Sequence, residues 1–440
     1  MDHGYQDTRR VGLCGVASYR NALLMDPRAW AAPYVATWLA VAFLPVPRTD
    51  LEIFFWPSAK VALAGHPLLV YSVGSGATYP NANGPVALVP LTALGLVLRA
   101  LGWLDAPEPR RALALALFSV FVLLMAREGM AAIERIRGHR IDGYPRLLGY
   151  ATFAMAPPIW QSIAGFGHIE QPIEVWLVLI AVRWMDRNWI LRAGLVFGLA
   201  VLSRSSALLL SIPLTLASWS HSPAFTARLF AATAVTGVAG LLPFYLADQA
   251  SVTYSLYAYR GGLPVGAGSI WSLTRSGSLA PVVQHWDIAA VMAVAVATNL
   301  WLATRRGGFR EARLFAGMTL TSASFALLAK TVWPYYFFEV FVLGTIWAAG
   351  TWRREDGIAR LFAVPLAIST LGLVAEVSSP NGLALTPVPV EGVAMFLMLG
   401  LVMAWIIWGA GGAASVRTQN LDGGISDASL IAYGRGRDVK

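Results

Sequence analysis

The chain has 440 residues, of which 57% are hydrophobic and only 13% charged, and its mean hydropathy is +0.59. That charged share is about half of what soluble domains carry, and a soluble fold of this length could not hide so much apolar surface. The net charge of +9 therefore reads as a positive-inside bias of a polytopic membrane protein, and no nucleic-acid partner is expected. The one cysteine, Cys14, excludes an internal disulfide and a cysteine-based metal site. Arginines at the N-terminus are followed by no short apolar core with a small-residue cleavage site, so no cleaved leader is expected.

In chain order, a polar segment with Arg9, Arg10, Arg20 and Arg28 precedes the first apolar run, Trp30–Pro47. Further runs are Arg111–Ala126, Leu147–Ile163, Pro172–Val182, Leu229–Leu246, Ile288–Ala303, Leu314–Ala329, Pro334–Gly350, Leu361–Val377 and Val390–Gly409. Between Ala193 and Trp219 an apolar stretch is broken by Ser203-Arg204-Ser205-Ser206, which suits either one long span or a V of two short helices. Gly84–Leu104 is long enough to cross, but Pro85, Pro90, Gly95, Arg99 and Gly102 interrupt it. Laying it along the outer face, with Ala193–Trp219 as a V, puts 24 of the 33 Lys and Arg on the cytoplasmic side, whereas a crossing reverses the bias. The expected fold is all-α: a transmembrane helical bundle of about twelve crossings, counting both arms of the V. Residues 1–409 form its single domain, with outer loops over 48–110 and 247–287, membrane-parallel helices in the first of them, and a flexible cytoplasmic tail over 410–440. Both termini are then cytoplasmic, in an inner or plasma membrane, and any chemistry lies on the outer face.

Several residues can carry that chemistry. Asp50 and Glu52 follow the first run beside Phe54, Phe55 and Trp56. Two readings stand: interfacial anchoring, or Asp50 as a general base partly desolvated by aromatics. His66, before Pro67, reads as a turn residue, and no HxxxH or HExxH spacing marks a zinc site. The cap from Gly165 to Pro172 carries His168, Glu170 and Gln171, with Glu174 just beyond, either as a satisfied polar network or as a substrate-facing loop. Arg204 lies amid apolar and small residues, where an arginine costs roughly 2.5–3.5 kcal/mol even on a mild scale, and a V whose apex meets the outer cavity would place it near water or an anion. Lys330 ends another apolar run, where a cation also complements the helix dipole. Arg260 and Arg275 lie in a Gly-rich loop and can bind an anionic headgroup or simply solvate the loop.

Taken in order, Asp50 after the first span, Tyr79-Pro80 to Gly84-Pro85, the stretch from Pro158 to Gln171, and Gly194, Gly198, Leu199, Ala200 and Arg204 resemble the GT-C superfamily of polyprenyl-phosphate-sugar-dependent glycosyltransferases, in its mannosyltransferase flavour. The resemblance covers roughly Arg48 to Tyr336. It implies transfer of a sugar from a polyprenyl-phosphate donor to a lipid or glycan acceptor, with membrane lipids around it. Asp50 would be the catalytic base; Arg204, Lys330, Arg260 and Arg275 would hold the donor phosphate; Glu52, Tyr79, His168, Glu170 and Gln171 would contact substrate. Arg204 stands where many members have Lys, and the second acidic position is matched only loosely by His168, Glu170 or Gln171. No organic cofactor is expected, with a divalent metal left open. The rival reading is a transporter or flippase of lipid-linked glycans, which would need polar groups along a path through the bilayer.

Overall fold

The computed structural model describes residues 49–72, 80–266, 269–271, 280–304, 311–352 and 357–363, together with residue 35. The expected spans Trp30–Pro47 (residue 35 aside) and Val390–Gly409, most of Leu361–Val377, the tail, and the candidate residues Tyr79 and Arg275 lie outside them. Helices of eight residues or more are α1 (Trp56–Leu63), α2 (Leu88–Ala100), α3 (Pro107–Arg137), α4 (Tyr144–Met155), α5 (Glu170–Asp186) and α6 (Ile190–Ser203), followed by α7 (Ser211–Trp219), α8 (Pro223–Ala247), α9 (Ala280–Thr304), α10 (Glu311–Leu328) and α11 (Phe337–Thr351). No strand occurs among the described residues.

Among the described residues, three helices are long and apolar enough to cross a membrane: Pro107–Arg137, Pro223–Ala247 and Pro281–Thr304. At 1.5 Å per residue, α3 is about 46 Å long. Pro107 starts it, where a missing N–H costs nothing, and Gly138 ends it in the left-handed conformation (φ 78°). Along α8 the apolar side chains of Val235, Val238, Leu242 and Leu246 are exposed, as are Met292, Val296 and Leu300 on α9. In water such stripes would be an aggregation liability; facing lipid they are the expected surface of a membrane-associated bundle.

Side-chain partners define two ends of the bundle. At one end, Arg135 of α3 pairs with Glu311 of α10 at 2.7 Å, and Arg137 donates to the carbonyls of Ala349 and Trp352 at the close of α11. At the other, Asp50 meets His168 ahead of α5, and Lys330 follows α10. Helix α2 begins beside Leu202, near the end of α6, and closes against α1 through Arg99 Nη2 on the Leu63 carbonyl (2.8 Å) and Lys60 on Asp105 (2.7 Å). Its two ends are thus held by α6 and α1.

The stretch around Arg204 is a V. Along one arm α6 and α8 run side by side, with Gly194 against Leu229, Gly198 against Thr233 and Thr236, and Leu202 against Gly240. A Cβ on Gly194 would stand 2.3 Å from the Leu229 carbonyl oxygen, and one on Gly198 2.5 Å from the Thr236 Cβ, so only glycine allows this approach. The two glycines of the family-like phrase thus have a packing role. After the break, α7 returns to the start of α8, where Thr226 Oγ1 donates to Ser218 Oγ at 3.0 Å. The apolar run Leu147–Ile163 is not one continuous helix. It breaks at Ala156, which is extended (ψ 141°), because Pro157 and Pro158 supply no N–H to continue α4.

Candidate active site at the Asp50 end

Asp50 opens a short π-helical turn, Leu51–Phe55, and its N–H donates to the Phe166 carbonyl at 2.8 Å. This bond ties the first outer loop to the cap before α5. Gly167, at φ 78°, makes the contact sterically feasible, since a Cβ there would lie 2.5 Å from the Leu51 nitrogen. The next residue, His168, is thereby delivered to the carboxylate. Its Nε2 is 2.8 Å from Asp50 Oδ2 and its Nδ1 is 2.7 Å from Glu170 Oε1, so one imidazole sits between two carboxylates. Tyr335 lies against it at a centroid distance of 3.6 Å, its ring tilted by 34°. The Asp50 side chain keeps 29% of its surface exposed while that of Glu170 has none, so Asp50 is the open end of this chain of contacts. Burial by itself pulls the His168 pKa down, but Glu170 and Asp50 outweigh it and hold the imidazole above its ordinary value.

Arg204 lies just inside. Its extended backbone (φ −151°, ψ 130°) ends α6 and begins the 3-10 turn Ser205–Leu210, so the guanidinium projects from the apex of the V. It is 1% exposed rather than near water, and the anions around it are the protein's own. Nη1 donates to Glu339 Oε1 at 3.1 Å, Glu174 Oε2 is 4.0 Å from Nη1, and Glu170 Oε1 is 3.9 Å from Nε. The ring centroids of Tyr336 and Tyr335 lie 5.3 and 5.9 Å from its Cζ. Sequence reasoning missed Glu339. Its signal was available, for it is the one ionisable side chain in the apolar helix Phe337–Thr351.

The remaining candidates divide. Glu52 folds back on its own turn, accepting from the backbone N–H (3.3 Å) and hydroxyl of Thr49. Gln171 donates to the Tyr335 carbonyl at 2.9 Å and accepts from Ser162, which locks the cap to the turn before α11. The Lys330 ammonium donates to the carbonyls of Gly261 (2.7 Å) and Gln284 (2.9 Å), so it anchors the neighbouring loop. Burial holds it below the usual lysine pKa, with Asp287 opposing. Arg260, in that loop, is different. Its guanidinium donates to Asn83 Oδ1 (3.1 Å) and Ser205 Oγ (3.3 Å), both neutral, and it is in no ion pair among the described residues. Tyr259 packs edge-on to Phe54, four residues past Asp50, at 6.2 Å. Direct contacts thus link Asp50, His168, Glu170 and Arg204, with Tyr335 against both His168 and Arg204, while Arg260 reaches the same V apex through Ser205.

Among the described residues no three His, Cys, Asp or Glu side chains are grouped as metal ligands. No family model matches the chain, and comparison with curated proteins gives no match.

Proposed function

We propose that the protein is a membrane glycosyltransferase that moves a sugar from a polyprenyl-phosphate donor to a lipid or glycan acceptor, with inversion. The observation that carries this reading is one carboxylate, Asp50, partly open to solvent and oriented by His168, at the same bundle end as the neutrally partnered guanidinium of Arg260. Sugar transfer from a lipid phosphate needs those two things. A base takes the acceptor hydroxyl proton as the oxygen attacks the anomeric carbon, and a cation receives the phosphate that leaves on the opposite side. Of the expected phosphate ligands among the described residues, Arg204 already faces Glu339 and Lys330 faces two carbonyls, so Arg260 is the donor contact in this reading, with Arg275 outside the described residues. The reaction calls for no organic cofactor, and no step here is assigned to a metal.

The test is transfer of labelled sugar from a polyprenyl phosphate by the purified protein in nanodiscs. Asp50→Asn keeps the shape and removes the base, so turnover drops by about 100-fold or more. Full activity in Asp50→Asn refutes the assignment, and lipid-linked sugar moved across the bilayer without transfer supports the transporter instead. The reading also puts the Asp50 end outside and residues 127–146 in the cytoplasm, following the Lys and Arg bias. Labelling of a cysteine at position 138 by an impermeant outside reagent, in a chain lacking Cys14, would sink that orientation.

A further inference from the structure

Beneath Asp50 the charges do not balance. Glu170, Glu174 and Glu339 converge on the single guanidinium of Arg204, and all four side chains are between 0 and 6% exposed. The other groups facing this cluster are His168 and Tyr335 at the cap and Tyr336 ahead of α11. His168, held between Asp50 and Glu170, answers the charge of Glu170. Arg204 makes its short contact with Glu339. Glu174 is left over.

Its hydrogen bonding is incomplete too. Ser206 Oγ lies 3.3 Å from Glu174 Oε1 and 3.2 Å from Glu339 Oε1, and a hydroxyl has one proton, so it serves one carboxylate at a time. Glu174 Oε2 is buried with no hydrogen-bond partner, as are Glu170 Oε2 and Arg204 Nε. A buried carboxylate with neither a short cationic contact nor enough donors does not stay ionised; it neutralises by taking a proton. Two carboxylates around one hydroxyl and one guanidinium behave likewise, since like charges at close range cannot both ionise cheaply.

We infer that Glu174 carries an exchangeable proton, making a buried proton-binding site beside Glu339 at the apex of the helix break. The proton removes the excess negative charge and gives the pair a second donor beside Ser206, so each carboxylate has a partner. The inference stands on the cluster's geometry and does not depend on what the protein transfers or carries.

Infrared difference spectroscopy of the full chain in nanodiscs tests it directly. At neutral pH the wild type should show the C=O stretch of a protonated carboxylic acid, shifted in D2O, and the wild-type minus Glu174→Gln spectrum should contain that band. Glutamine keeps the size and the neutral state, so Glu174→Gln should melt at or above the wild-type temperature, whereas Glu339→Gln, which strips Arg204 of its short contact, should melt lower. A wild-type spectrum without the band overturns the inference and needs no variant to fold. Persistence of the whole band in Glu174→Gln, or a melting loss in that variant equal to that in Glu339→Gln, overturns it as well.

Discussion

Arg204→Gln is the most severe single change the structure offers. Glutamine is shorter and neutral, so it cannot reach Glu339 and supplies no charge to Glu174 or Glu170. Removing one partner of a buried ion pair costs about 3–5 kcal/mol, because the other charge stays buried and unpaired. Here the stranded group is Glu339, whose Oε1 keeps only Ser206, and the nearby aromatic faces of Tyr335 and Tyr336 lose their cation as well. The upper part of that range is therefore expected. Arg204→Lys should recover part of the loss, since an ammonium restores the charge without the planar fork. Unfolding in mixed detergent followed by tryptophan fluorescence would measure it. A double-mutant cycle with Glu339→Gln should give a coupling of about 1–3 kcal/mol, since the double variant leaves neither charge stranded. A loss below about 1 kcal/mol in Arg204→Gln, with zero coupling, would mean that the guanidinium is solvated as a surface ion is and that the buried cluster is wrong.

Three further outcomes follow from the same geometry. Arg260→Gln should weaken binding of the polyprenyl-phosphate donor by about 1.5–3 kcal/mol, the worth of hydrogen bonds to a charged group, and equal affinity by calorimetry would remove Arg260 from the site. Gly198→Val should destabilise the V by about 1–3 kcal/mol through overpacking against Thr236, seen as a lower melting temperature, and unchanged melting would show that α6 and α8 are not in close contact. His168 has a raised folded-state pKa, so its contribution to stability is fully present below the unfolded histidine value and is lost as pH rises through the folded one. The melting advantage of wild type over His168→Asn should accordingly shrink as pH rises above the ordinary histidine value of about 6.5, and a constant gap would show that the imidazole is not charged between Asp50 and Glu170.

What the sequence discloses here depends on how local the cause is. The apolar runs and the break at Ser203–Ser206 are properties of single segments, and among the described residues the helices and the V follow them, Leu147–Ile163 excepted. The break within Leu147–Ile163 is local as well, since the missing N–H groups of Pro157 and Pro158 end α4. Asp50 and His168 were each conspicuous as polar groups beside aromatics or within a short cap, but their pairing needs Gly167 to let two loops approach, and a left-handed glycine does not announce its neighbour. Arg204 shows the limit most clearly. A lone cation in an apolar stretch must have an anionic partner, and that partner was sought outside the protein, in water or a ligand. The structure supplies it from α5 and α11, at Glu174, 30 residues before Arg204, and Glu339, 135 residues beyond it. Glu339 is marked as ionisable within an apolar helix, but near that helix's start the dipole alone accounts for it, so its sequence does not point to a partner 135 residues away. Buried charge obeys a sum rule over the whole site, and the terms of that sum become visible only when the helices are brought together.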